Sequence, residues 1–132
     1  MIVLDASVVV DLVLGLAPHD ATIANILAAE TPNIFAPHLI DVEVAQVIRR
    51  RVRGGSVKAT DAIATLGVLA ALPIVRHPHL PFLERAFELR DHATIYDAVY
   101  LVLAEALGAT LVTRDAALAS VPGVRARVRV VA

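Results

Sequence analysis

The chain has 132 residues, the size of one ordinary domain, enough to bury a single core without metal or disulfide staples. It has no cysteine, which excludes a disulfide scaffold and thiolate metal sites and fits a reducing compartment. A net charge of −1 excludes a global basic field that draws in nucleic acid, so any such contact must rest on local basic clusters or on metal.

Met1 to Leu4 is a short apolar run ended by Asp5 and reads as a first buried strand. Ser7 to Leu14 and His19 to Glu30 read as helices, and Thr31-Pro32-Asn33 is a breaker. Ile34 to Ala36 reads as a second strand, and Pro37 opens a helix to about Val52, stopped by Gly54-Gly55. Thr60 to Leu72 is the next predicted helix, and Ile74 to Arg76 the third strand. Pro81 to Arg90 reads as a helix, and Thr94 caps another that ends at Leu107 before Gly108. Thr110 to Thr113 is a fourth strand and Asp115 to Ala119 one helical turn. Val124 to Val131 alternates, with Arg125, Arg127 and Arg129 on one face, as a half-buried edge strand does. Short apolar strands alternating with helices predict an α/β fold of one domain, residues 1–132, with a central, mainly parallel sheet of four to five strands between helical layers.

Parallel topology brings distant acids together. Ligands of open α/β sheets bind outside the carboxyl ends of the strands. Asp5 follows the first strand, Asp115 follows the fourth, Glu43 lies early in the helix after the second, and Asp97 lies in the first turn of a helix descending to the fourth. Four carboxylates at one edge repel one another and raise one another's pKa. A hard divalent cation resolves this, Mg²⁺ or Mn²⁺, and such an ion suits phosphodiester hydrolysis.

Val3-Leu4-Asp5-Ala6-Ser7, Glu43, Tyr96-Asp97-Ala98-Val99-Tyr100-Leu101 and Leu111-Val112-Thr113-Arg114-Asp115, in this order and spacing, make the chain resemble the PIN domain, and within it the VapC-type toxin ribonucleases of bacterial toxin–antitoxin pairs. The resemblance implies a three-layer PIN-like fold, Mg²⁺-dependent cleavage of RNA, a homodimer and a VapB-type antitoxin as inhibitor. It implies that Asp5, Glu43, Asp97 and Asp115 are the catalytic, metal-binding acids, with Ser7 and Thr113 as supporting hydroxyls. Gln46 departs from the family, where asparagine is common three residues after the glutamate.

Each residue also has a plainer role. Asp5 and Asp115 suit helix caps, Thr94 and Asp97 form a T-x-x-D pattern close to a capping box, and Glu43 competes with Asp41, about 200° away on the helix. Asp11 is expected below the edge and outside the site; Tyr96 and Tyr100, four apart, are expected to pack. Arg49, Arg50, Arg51 and Arg53 with Lys58 read as a solvated helix end, and Arg114 as the residue nearest a bound phosphate. His77 and His79 flank Pro78 without a zinc motif.

A hydrophobic fraction of 58% predicts exposed apolar patches and hence partners. The stretch around Ile63, Leu66, Val68, Leu69 and Leu72 is mostly core by default, and the resemblance implies that its helix and the helix from Pro37 to Val52 form the antitoxin contact. The first residues lack the basic region of a signal peptide, and the longest uncharged stretch, Ala62 to Val75, is too short to span a bilayer, so a cytoplasmic protein without membrane contact is expected. Two other functions compete. A haloacid-dehalogenase-type phosphatase needs an acid where Ser7 stands. A catalytically inactive PIN-like domain that binds RNA or protein would not need all four acids.

Overall fold

The computed structural model describes every residue from Met1 to Ala132. Five strands, β1 (Ile2–Leu4), β2 (Ile34–Pro37), β3 (Val75–His77), β4 (Thr110–Thr113) and β5 (Arg127–Val130), form one sheet in the order β3-β2-β1-β4-β5. All four pairings are parallel. The helices are α1 (Ala6–Leu14), α2 (His19–Glu30), α3 (Leu39–Arg53), α4 (Ala59–Ala71), α5 (Leu83–Glu88) and α6 (Ile95–Leu107), with 3₁₀ turns at Leu80–Phe82 and Ala116–Ser120.

The chain moves outward from β1 through β2 to β3, then returns past β1 to β4 and β5. Right-handed crossovers running in opposite directions along a sheet lie on opposite faces. Accordingly α1 packs against α2, α3 and α4, whereas α6 lies across β1, β2 and β4 with α5 against it. The central strands are covered on both sides: Val3, Leu4, Leu111 and Val112 are fully buried, as a parallel sheet requires. The reversal of direction falls between β1 and β4, and a crevice opens at such a switch point beyond the carboxyl ends of its strands.

Local signals act as expected at several boundaries. Thr94 accepts a hydrogen bond from the Asp97 N–H at 3.1 Å, fixing the start of α6. Gly108 ends α6 at φ 62°, a left-handed conformation that a side chain would resist.

Other boundaries differ from the sequence reading. Pro37 does not open the helix; it is the last residue of β2, paired with His77, and α3 begins at Leu39. A proline lacks only its own N–H, which an end-of-strand position can spare. The third strand lies one residue later than predicted, at Val75–His77, and the predicted Pro81–Arg90 helix is a 3₁₀ turn followed by the short α5. The predicted helical turn after Asp115 is present as a 3₁₀ turn over Ala116–Ser120. The alternating C-terminal segment is an edge strand over Arg127–Val130 only, with Arg127 and Arg129 exposed. No single helix is long and apolar enough to cross a membrane.

Candidate active site

Asp5 leaves β1 in an extended conformation and caps α1, its Oδ1 accepting from the Val8 N–H at 3.3 Å. Ser7 Oγ donates to the same oxygen at 2.5 Å, and Thr113 Oγ1 donates to Oδ2. Thr113 ends β4 and is wholly buried; its hydroxyl also accepts from the Asp115 N–H at 3.0 Å. Ser7 Oγ accepts from the Arg114 N–H at 3.0 Å. The two hydroxyls thus knit the ends of β1 and β4 into one polar unit around Asp5. Burial pushes the Asp5 carboxyl above its ordinary pKa, and the bonds from Ser7 and Thr113 oppose the rise.

Glu43 projects from the first part of α3 toward the same edge. Burial and then the charge of Asp97 push its pKa up to about 7, with a smaller push from Asp5. Its Oε1 is buried and has no hydrogen-bond partner. The Tyr100 hydroxyl is near enough to favour the Glu43 carboxylate, yet no hydrogen bond of ordinary geometry forms, and that hydroxyl is also buried without a partner. Asp97 is half-buried and likewise raised, by burial first; the Thr94 bond lowers it and the charge of Asp115 raises it. Asp115 caps the following 3₁₀ turn, accepting from the Ala117 N–H at 2.9 Å.

The structure therefore brings all four predicted acids to one edge, linked by mutual charge from Asp5 to Glu43, Glu43 to Asp97 and Asp97 to Asp115. Asp5, Asp97 and Asp115 also serve as caps or in capping contacts, so the plainer roles hold simultaneously. No three of these side chains stand close enough together to hold an ion, as mutual repulsion favours. Asp41 is occupied elsewhere, in a two-pronged pair with Arg76 at 2.9–3.1 Å, which leaves Glu43 as the helix acid facing the cluster.

Two residues behave differently from expectation. Asp11 is 2% exposed and pairs with Arg114 Nη1 at 2.9 Å and His19 Nδ1 at 3.4 Å. It holds the side chain of the residue just before Asp115. The signal was present in the sequence, since an acid amid the valines and leucines of α1 needs a buried partner. Tyr100 packs in the core at 1% exposure as expected, but Tyr96 does not pack: it is 64% exposed beside Asp97. A surface cavity of about 530 Å³ lies around Arg85, Glu105 and Ala109 at the opposite end of β4, remote from the acids.

Fold and site define a doubly wound parallel α/β protein with an acidic cluster at its switch point, running from the buried Asp5 out to the exposed Asp115. The PIN domain family model matches residues 2–124. The chain is 37% identical over 130 residues to ribonuclease VapC1 of Mycobacterium tuberculosis, covering 98% of this chain and 96% of that protein. It is 39% identical over 132 residues to ribonuclease VapC12 of the same organism, covering 100% of both. Among solved structures, VapC20 of M. tuberculosis, a toxin that cleaves the sarcin-ricin loop, aligns with a TM-score of 0.73 at 16% identity over 96% of this chain and 99% of that one. VapBC2 of Rickettsia felis, bound to a DNA fragment from its promoter, aligns with a TM-score of 0.73 at 18% identity, covering 98% of each chain. These two share the fold. The chain belongs to the PIN-domain family, and within it to the VapC-type ribonucleases.

Proposed function

We propose that the chain is the toxin of a toxin–antitoxin pair, an endoribonuclease that hydrolyses RNA phosphodiester bonds with the help of Mg²⁺, or Mn²⁺ in its place. The observation that carries this reading is the charge-linked set Asp5, Glu43, Asp97 and Asp115 at the switch point of the sheet. Their donors are all hard carboxylate oxygens, and Glu43 Oε1 is buried without a partner, so the residues suit a hard cation. Asp5, Asp97 and Asp115 would hold the ion, and Glu43 would hold a second ion or orient the attacking water. Such an ion, when bound, neutralises charge on the phosphodiester and lowers the pKa of water.

The chain's own residues do the rest. Ser7 and Thr113 each donate to one oxygen of Asp5 and fix its orientation, leaving a lone pair on Oδ2 for the ion. Thr94 sets the turn that presents Asp97. Arg114, restrained by Asp11, is the cation nearest Asp115 in the chain and would meet a substrate phosphate. A VapB-type antitoxin and a second copy of the chain are the proposed protein partners; the exposed Ile63, Leu66 and Val68 of α4 give such partners apolar surface to cover.

The decisive experiment maps cleavage ends in total RNA incubated with the wild-type chain and with Asp97→Asn, each with Mg²⁺ and with chelator. New ends that need both Asp97 and the metal are expected. An intact RNA pool with the wild-type chain would favour a binding module instead.

A further inference from the structure

Beside the acids, one face of α3 and the start of α6 enclose a groove of about 410 Å³ whose lining includes Val42, Glu43, Gln46, Arg50 and Tyr96. Glu43 belongs both to this groove and to the acidic cluster, so the two are continuous. Tyr96 is 64% exposed and Val42 70% exposed, so neither serves the core. Together they offer an aromatic ring and an aliphatic wall to an incoming ligand. Gln46 adds an amide that both donates and accepts, and Arg50 a guanidinium. Glu43, Gln46 and Arg50 recur three and four residues apart on α3 and share one face. By the rise of the helix Arg50 lies about 10 Å along its axis from Glu43, a span that an extended single strand crosses in very few nucleotides. Arg50 is thus the member of the basic run that turns toward the acids rather than away from them.

An unpaired nucleobase matches this set. Bases stack on exposed aromatic rings, amides read their edges, and a guanidinium grips phosphate. A purely apolar partner helix would leave the amide, the guanidinium and the shared carboxylate buried without partners. We propose that this groove is a subsite for one unpaired nucleotide next to the scissile phosphate, with Tyr96 stacking on the base, Gln46 bonding to its edge and Arg50 pairing with a phosphate. The choice of RNA as ligand rests on the ribonuclease reading, and the subsite would make the enzyme select single-stranded segments and favour particular bases at one position.

The test uses short single-stranded RNAs carrying one 5-iodouridine at successive positions, bound to an Asp115→Asn chain that keeps every groove residue. On irradiation, a crosslink to Tyr96 from one position of the RNA is expected. Tyr96→Ala in this background should abolish it and weaken binding about tenfold, within the range for loss of one base–aromatic stack, while Tyr96→Phe retains both. In the active chain, Gln46→Leu should change which base is preferred at the cut. Crosslinks elsewhere, or binding by Tyr96→Ala within about twofold of its parent, overturn the proposal. So does a Tyr96→Ala chain that loses self-association in sedimentation with RNA binding unchanged, which would assign the groove to a second copy. A wild-type chain that does not cleave, tested beside a variant that still crosslinks at Tyr96, removes the ribonuclease reading and leaves the subsite standing.

Discussion

Thr113 donates a hydrogen bond to the carboxylate of Asp5 across 108 residues of sequence, joining the end of β4 to the end of β1. The same hydroxyl accepts the N–H of Asp115, so one buried side chain holds two of the four acids in register. Thr113 is wholly buried, so its hydroxyl makes both bonds shielded from solvent.

Replacing that hydroxyl should therefore damage the site more than the fold. Thr113→Val keeps the shape but leaves an Asp5 oxygen and the Asp115 N–H without their partner, which costs about 1–3 kcal/mol. Cleavage of RNA should fall about 10–100-fold, as for loss of an outer support of a metal site. Thr113→Ser restores the hydroxyl and should recover most of the activity. Equal kinetics for the valine and serine variants would remove Thr113 from the mechanism.

Asp5→Asn and Asp97→Asn should differ in stability though both lose cleavage. Asp97 has only Thr94 as a side-chain hydrogen-bond partner and is raised by burial and by Asp115, so its asparagine variant should unfold at or slightly above the wild-type urea midpoint. Asp5 accepts from two hydroxyls and one N–H. An amide nitrogen facing either hydroxyl breaks that pattern, with a cost of about 1–2 kcal/mol. Urea titration of both variants beside a cleavage assay separates the two effects.

The acids make the stability of the metal-free chain depend on pH. Glu43 titrates at about 7 in the folded chain against an ordinary 4.5. The folded state thus holds this proton more tightly than the unfolded state, and the stability it contributes is full below about pH 4.5 and is lost as pH rises through about 7. Asp5 and Asp97, also raised, act in the same direction. With chelator present, Glu43→Gln should match the wild-type Tm near pH 4.5 and exceed it near pH 8. A difference that does not grow with pH would refute the assigned shift. Millimolar Mg²⁺ at pH 8 should raise the wild-type Tm by binding the folded state alone, and should raise that of Glu43→Gln less.

Asp11 provides a test away from the chemistry. Asp11→Ala leaves Arg114 without its partner and empties a buried site. Breaking a fully buried pair costs about 3–5 kcal/mol; the Arg114 side chain is 40% exposed and can turn to water, so a loss of about 1–3 kcal/mol is expected. Urea denaturation measures it, and a midpoint unchanged from wild type would show that Asp11 is not stabilised by the pair.

The sequence by itself determined the alternation of strands and helices, the caps at Asp5, Thr94 and Asp115, and the edge to which four scattered acids converge. It did so because apolar periodicity and capping chemistry are local, and parallel topology carries local order to a predictable place. It could not choose between Glu43 and Asp41 without the family, because both lie in the first turns of α3. Only the fold did, by giving Asp41 to Arg76 on β3. Nor could it show that Tyr96 faces solvent while Tyr100 is buried, or that Asp11 reaches Arg114 from the neighbouring element. Those outcomes depend on how neighbouring elements pack and which partners they bring within reach, and no local pattern records them. The bond from Thr113 to Asp5 belongs to both: the hydroxyl and the acid stand at legible strand ends, but only the pairing of β4 beside β1 lets one orient the other.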